Sequence, residues 1–295
     1  MDRRNFSRIL GGAVVGSAVL PAAPAFAAAP AEKQVPFKLS VMLWTIYRKL
    51  PFEQRLEKVA EAGYHAVELV DEYKNWSPED FRRSTAKLRS LGIVVDAMAG
   101  VWTGIADPKL QEKFLSDLAN FVPIAEQLEC SAIIVLSGNR VEGLSRDAHH
   151  ESCVENLKRA AEIADKRNLT LLLENIDQEE NPKYYLTSVA EGFEIIRQVN
   201  HPRVKFLYDF YHEQISEGNL ISKLEKNVAQ VGLLHIADVP GRHEPGTGEI
   251  NYANIYRKLT QLNYPGYVAM QFEPAGDPVA SLKAARENAL RAAGM

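Results

Sequence analysis

Cysteine is scarce in this sequence, with only two in 295 residues. A disulfide framework is therefore excluded. Cys130 is expected just before a strand, and Cys153 about two turns into the following helix. Because a disulfide needs Cα atoms within about 7 Å, we do not expect the two to pair. Long runs of one charge are also missing, and the net charge is only −4. This balance argues against nucleic acid or an anionic membrane surface as a partner.

A long apolar stretch is missing as well. The apolar run Ile9–Leu20 is shorter than the roughly 20 residues that span a bilayer, so no stable membrane anchor is expected. The run follows Arg3 and Arg4 and precedes Ala25-Phe26-Ala27, a small-x-small cleavage pattern. Residues 1–27 are therefore predicted to be an export signal that is cleaved near Ala27.

The start of the signal resembles a twin-arginine signal, with Phe6 in its usual place and Ser7 where that motif usually has Leu. The resemblance implies recognition by the twin-arginine export machinery, which carries folded proteins, and a periplasmic location. A short linker is predicted over residues 28–36.

From residue 37 onward, short apolar runs alternate with stretches of helical period. The predicted strands are Leu39–Trp44, Ala66–Val70, Ile93–Met98, Ala132–Leu136, Thr170–Glu174, Val204–Asp209, Gly232–Ala237 and Tyr267–Phe272. Eight strand and helix units predict the α/β class and a single-domain (β/α)₈ TIM barrel over residues 37–295. An open doubly wound sheet is the alternative, but no Gly-x-Gly-x-x-Gly or Walker loop follows the first strand. Homo-oligomerisation stays open.

A metal-competent side chain ends each of strands five to eight: Glu174, Asp209, His235 and Glu273. In a barrel these strand ends meet at the C-terminal face, where active sites form. A single acidic residue there is usually a helix cap or a solvated loop residue, but four in succession favour a shared site. Three carboxylates and one imidazole suit Mn²⁺ or Mg²⁺, with Co²⁺ or Zn²⁺ as alternatives.

Four segments carry a more specific resemblance. They are residues 235–252 (HIADVPGRHEPGTGEINY), 173–175 (LEN), 208–212 (YDFYH) and 272–274 (FEP). Together they resemble the hydroxypyruvate isomerase family of the xylose isomerase-like barrels, a group that includes the ketose 3-epimerases. The resemblance covers nearly the whole chain after the signal, and the loop 239–245 is its most specific part.

The resemblance implies roles for individual residues. Glu174, Asp209 and Glu273 match the carboxylate ligands of the metal. His235 matches the fourth ligand, where hydroxypyruvate isomerases tend to have Gln and the epimerases have His. Positions that contact substrate oxygens in the epimerases are matched by Glu180, His212 and Arg242.

The predicted reaction is isomerisation or epimerisation of a small keto-sugar or hydroxy-keto acid. A divalent metal stabilises the enediolate left when a proton leaves the carbon beside a carbonyl. Glu174 and Glu273 are the predicted catalytic pair, one removing the proton and the other returning it. Return to the neighbouring carbon gives isomerisation, and return to the opposite face gives epimerisation.

Further residues receive smaller roles. Glu68 and Trp44 are expected to line the substrate pocket, although Trp44 has a packing role as its alternative. His243 and Glu244 are expected to shape the loop around Arg242, with a contact to substrate as the alternative for Glu244. The histidine pair at positions 149 and 150 is expected to face solvent.

Two alternatives to an isomerase remain. One is a metal-dependent lyase that removes a proton from a 3-keto-glycoside and expels a β-substituent, a reaction that suits an exported enzyme. The other is a non-catalytic sugar-binding barrel, which the intact Glu174 and Glu273 argue against. A nuclease would need more histidines and a basic groove.

Overall fold

A computed structural model describes residues 35–295, and the predicted signal and most of the linker lie outside this part. The described chain contains a closed barrel of eight parallel strands in sequence order. The strands are β1 (Lys38–Met42), β2 (Ala66–Leu69), β3 (Val94–Val101), β4 (Ala132–Leu136), β5 (Thr170–Glu174), β6 (Val204–Asp209), β7 (Val231–Ile236) and β8 (Tyr267–Met270). The TIM-barrel prediction is confirmed.

Nine α-helices lie between the strands or after the last one in the described part of the chain. They are α1 (Phe52–Glu61), α2 (Pro78–Leu91), α3 (Gln111–Gln127), α4 (Arg146–Lys166), α5 (Val189–Val199), α6 (Phe210–Ser216), α7 (Leu220–Asn227), α8 (Tyr252–Gln261) and α9 (Pro278–Ala292). Local sequence sets several helix starts. Ser77 caps α2 in a capping box with Asp80, and Asp277 caps α9 by accepting from the Ala280 N–H. Within residues 35–295, no helix is long and apolar enough to cross a bilayer.

The strands carry two separate apolar surfaces. Residues that face outward join the helices in the large core. Residues that face inward form a small cluster of Ala97, Ala99, Ile134, Leu172, Leu207, Leu233 and Ala269. Branched side chains usually fill a barrel interior. The three alanines on β3 and β8 leave room there for polar groups.

Both cysteines are buried, and both are free, as expected from their predicted places before a strand and within the following helix. The expectation for His149 is wrong, since only 2% of this residue is exposed. Its Nδ1 donates to the Ser145 carbonyl oxygen at 2.7 Å, and its Nε2 accepts the Val141 N–H at 2.8 Å. The ring also stacks on Tyr185, with 5.0 Å between centroids. Both ring nitrogens of His149 therefore have hydrogen-bond partners, and the ring packs against its own loop.

Candidate active site and metal centre

Three of the four strand-end residues come together inside the barrel mouth. Glu174 ends β5, Asp209 ends β6 and His235 is the fifth residue of β7. His235 Nδ1 lies 3.4 Å from Glu174 Oε1 and 3.6 Å from Asp209 Oδ2. All three residues are buried, and Asp209 and His235 have no exposed surface. Parallel strands of matching depth therefore bring these side chains within ligand distance of one another.

Two atoms of this cluster have no hydrogen-bond partner within residues 35–295. They are Asp209 Oδ2 and His235 Nδ1, both buried. Buried polar atoms are rarely left unpaired in folded proteins. Ligands held about 2.0–2.3 Å from a divalent ion lie roughly 3–3.6 Å apart, which matches the spacings around His235 Nδ1. The residues therefore fit a divalent cation that all three would bind.

Electrostatics at Asp209 agree with this fit. Burial opposes its ionisation, but the neighbouring His212, His235 and Arg242 outweigh that effect and lower the pKa of the Asp209 carboxyl. Burial also acts to lower the pKa of His235, yet its carboxylate neighbours, Glu68 first among them, raise that pKa well above the ordinary value. The site thus holds several buried carboxylates, and their negative charge must be balanced by protons or by a cation.

A second imidazole approaches the same carboxylate. His212 Nε2 lies 3.5 Å from Asp209 Oδ2, and Glu174, Asp209 and His212 offer ligand atoms that all lie within 4.8 Å of one another. His212 Nδ1 bonds to Asp177 Oδ2 at 2.6 Å. Both imidazoles thus flank Asp209, but only the facing nitrogen of His235 is buried with no hydrogen-bond partner in the described part of the chain.

Glu273 takes a different position from the other three strand-end residues. It follows β8 by three residues and is exposed. Its backbone N–H donates to the Arg242 carbonyl oxygen at 2.8 Å, and its own carbonyl oxygen accepts from His243 Nδ1 at 2.7 Å. Its side chain makes no hydrogen bond or ion pair within the described residues. The structure therefore ties the Glu273 backbone to the Arg242 loop and leaves its carboxylate free.

The three residues matched to substrate contacts also lie together. Arg242 Nη1 bonds to Glu180 Oε2 at 2.5 Å, and the same oxygen lies 3.9 Å from His212 Nε2. The Arg242 guanidinium lies over two aromatic rings, 5.0 Å from the centroid of Tyr211 and 5.9 Å from that of Trp44. Trp44 therefore borders this polar group, as expected for a pocket residue.

The loop that carries Arg242 is organised by a carboxylate that the sequence analysis missed. Asp238 has no exposed surface and accepts backbone N–H groups from Val239, Gly246 and Ile250 at 2.8–3.0 Å. Arg242 sits in the left-handed region with φ 56°. In the sequence, the position of Asp238 just before a Pro-Gly turn could have indicated this loop-organising role.

Glu244 anchors the same loop on its other side. It accepts the Ala275 N–H at 3.0 Å and the Ser281 hydroxyl at 2.7 Å. Together with the bond from His243 to Glu273, these contacts fix the loop against the segment after β8. His243 and Glu244 thus have the shaping role expected from the sequence.

Asp177 and Glu68 each bond to one of the two imidazoles, on the ring edge that faces away from Asp209. Asp177 was missed in the sequence, and it bonds to His212 while its other oxygen caps the backbone N–H groups of Glu179 and Glu180. Glu68 was expected to line the pocket, but it has no exposed surface and bonds to His235 instead. Glu68 thus contacts His235, one of the predicted metal ligands, rather than the pocket.

Comparisons with known proteins identify the family to which the chain belongs. Residues 56–292 match the model of the xylose isomerase-like TIM barrel family. A putative hydroxypyruvate isomerase from Danio rerio is 32% identical over 260 residues, which cover 84% of this chain and 94% of the relative. A 2-oxo-tetronate isomerase from Pectobacterium atrosepticum is 29% identical over 243 residues, 81% of this chain and 93% of the relative.

Among solved structures, an AP endonuclease, family 2, from Brucella melitensis superimposes with a TM-score of 0.76 at 28% identity, covering 83% of this chain and 96% of that one. The family model spans most of the chain, and the relatives align over nearly their full lengths. This chain therefore belongs to the xylose isomerase-like TIM barrel family.

Proposed function

We propose that this protein is a metal-dependent isomerase or epimerase of a small hydroxy-keto acid or keto-sugar. The observation that carries the proposal is the buried cluster of Glu174, Asp209 and His235, in which Asp209 Oδ2 and His235 Nδ1 have no hydrogen-bond partner among the described residues. Relatives named hydroxypyruvate isomerase and 2-oxo-tetronate isomerase support a small keto acid as substrate.

The proposed ligands are Glu174, Asp209, His235 and Glu273, and Mn²⁺ or Mg²⁺ suits their donor atoms best. When bound, such an ion supplies positive charge that stabilises negative charge on the substrate oxygens. The exposed Glu273 carboxylate, which makes no hydrogen bond or ion pair within the described residues, would complete the set by turning inward.

Side chains around the cluster would bind and orient the substrate. Arg242 Nε is buried and has no hydrogen-bond partner within residues 35–295, so it offers a donor to a substrate oxygen. His212 and Glu180 lie beside it and are placed to bind hydroxyl groups. These groups would hold the substrate so that the carbon beside its carbonyl faces Glu174.

Proton transfer is assigned to the two glutamates. One carboxylate removes the proton from the carbon beside the carbonyl, and the other returns a proton. Return to the adjacent carbon, together with transfer of the hydroxyl proton to the former carbonyl oxygen, is isomerisation, whereas return to the opposite face of the same carbon is epimerisation. Arg242 stabilises the negative oxygen that develops between these two steps.

A second candidate, elimination from a 3-keto-glycoside, is favoured by a cavity beside the site. The cavity has a volume of about 460 Å³ and lies against the ends of β4 and β5, with Trp102, Asn139 and Tyr184 in its wall. The Tyr184 hydroxyl donates to the backbone carbonyl oxygen of Glu174 at 3.3 Å, so the cavity wall contacts the backbone of the residue that carries the proposed base. An exposed indole and amide groups suit the leaving sugar of a glycoside.

One experiment separates these reactions. Purified protein loaded with Mn²⁺ is incubated in D₂O with hydroxypyruvate, 2-oxo-tetronate, keto-hexoses and 3-keto-glycosides. We expect deuterium at the carbon beside the carbonyl of a small keto acid or keto-sugar, together with its isomer or epimer. Release of a free sugar from the glycosides would favour the lyase instead. No exchange with any substrate would contradict both.

A further inference from the structure

His235 is held from both sides inside the barrel. Its Nε2 lies 2.8 Å from Glu68 Oε2, and neither side chain has exposed surface. Its Nδ1, on the opposite edge of the ring, faces Glu174 and Asp209. The imidazole thus stands between a carboxylate of β2 and the proposed metal site.

This contact crosses the barrel interior, because β8 and β1 separate β7 from β2. Two alanines make room for it. Ala97 is the strand-register partner of Glu68, and Ala269 is the partner of His235. Both are fully buried, at positions where barrels usually carry bulky branched residues. The polar pair is thus accommodated by the packing around it.

We propose that Glu68 is a positioning residue of the metal centre, one that accepts the Nε2 proton of His235 and so leaves the Nδ1 lone pair for the ion. The inference rests on the metal site proposed above. A neutral imidazole has one N–H and one lone pair, so a carboxylate acceptor at Nε2 determines which nitrogen can ligate. The same bond fixes the orientation of the ring.

A direct role for Glu68 on the substrate does not fit its position. It has no exposed surface, and His235 is its only side-chain hydrogen-bond partner within the described residues. It bonds to Nε2 of His235, on the edge of the ring opposite the nitrogen that faces Glu174 and Asp209. Glu68 therefore acts through His235.

The test is the affinity for Mn²⁺ of the metal-stripped mature protein, measured by chelator competition. Glu68→Leu should weaken binding about 10- to 100-fold, the usual effect of losing such a partner. Glu68→Gln should weaken it less, because its amide oxygen can still accept the Nε2 proton. A matched control is Glu72→Gln, which alters another buried carboxylate, one that bonds to Arg55 at 2.9 Å, and should leave affinity within about twofold. Thermal melts confirm that each variant is folded.

A second comparison tests whether the effect of Glu68 on Mn²⁺ affinity depends on His235. In His235→Gln protein, the further change Glu68→Leu should alter Mn²⁺ affinity by less than about threefold, since a residue that acts only through His235 has nothing left to orient. Wild-type affinity in folded Glu68→Leu overturns the inference alone, and so does an equal loss in both backgrounds. Failure of the wild-type protein to bind Mn²⁺ overturns the metal centre of the proposed function as well.

Discussion

Asp177 and His212 form a buried carboxylate–imidazole pair, with 2.6 Å between Oδ2 and Nδ1. Burial opposes a charged imidazole, but Asp209 and Asp177 raise the pKa of His212 above its usual value. The bond also turns Nε2 toward Asp209 and Glu180. The position of His212 therefore depends on a residue outside the barrel strands.

Asp177→Asn should lower the pKa of His212, because the amide removes the negative charge that favours the protonated ring. The protonated form then persists to a less alkaline pH than in the wild type. An NMR titration of the histidine ring in metal-free protein measures this shift. We also expect kcat/KM to fall about 10-fold, the lower end of the range for a partner of this kind. An unchanged titration curve would mean that Asp177 does not control His212.

The buried carboxyl of Asp96 should make stability depend on pH. Burial, reinforced by Glu68, raises the pKa of Asp96 to about 7. Because the folded-state value lies above the unfolded one, the folded state binds more protons between about pH 4 and pH 7, and stability falls as pH rises through that window. Asp96→Asn should remove this loss, with a gain at pH 8 relative to pH 4 of about 2–4 kcal/mol.

Denaturant unfolding of metal-free protein at both pH values measures the Asp96 effect. Equal pH profiles for the wild type and Asp96→Asn would refute the prediction.

Arg242 should contribute to substrate binding through both charge and shape. Its side chain bonds to Glu180 and lies over Tyr211 and Trp44. Arg242→Ala should lower kcat/KM about 10- to 100-fold, the scale of a lost charged hydrogen bond. Lysine at this position keeps the charge but not the planar guanidinium, so it should recover only part of the loss.

Arg48 provides the matched control for Arg242. It also lies over the Trp44 ring, at 5.3 Å, but it is exposed. Arg48→Ala should leave kcat/KM nearly unchanged. Equal losses in the two alanine variants would assign the effect to Trp44 rather than to the substrate.

Much of the barrel could be predicted from the sequence because each strand is a short apolar run. The bounds of β4, β5 and β6 match the predictions at both ends. The strand β3 extends three residues beyond its predicted end, to Val101, because pairing with β4 continues past a register shift. β8 ends at Met270, two residues early, since no pairing extends its ladder.

Part of the site could be predicted from the sequence for the same reason. Glu174, Asp209 and His235 end apolar runs, and the barrel brings them together. The role of Glu68 was hidden, because its bond to His235 joins residues 167 apart in the chain and depends on how the barrel closes. Asp177 was hidden because a carboxylate in a loop gives no local sign of the imidazole it will meet.

We propose that the protein is exported to the periplasm by the twin-arginine route, on the evidence of Arg3, Arg4 and the Ala25–Ala27 pattern, which lie outside the described residues. Arg3→Lys/Arg4→Lys should hold the precursor in the cytoplasm, whereas Arg8→Lys should not. Fractionation of cells that express each variant measures this. Normal processing of the double variant would indicate general secretion.

The central claim is that Glu174 and Glu273 move a substrate proton beside a bound metal. Glu→Gln at either position keeps the side-chain shape and an oxygen donor but removes the base. With Mn²⁺-loaded protein in D₂O, the rate of C–H exchange in the substrate turned over by the wild type should fall about 10²-fold or more in Glu174→Gln and in Glu273→Gln. Exchange near the wild-type rate in both variants would contradict the account and would leave Glu180 or His212 as the base.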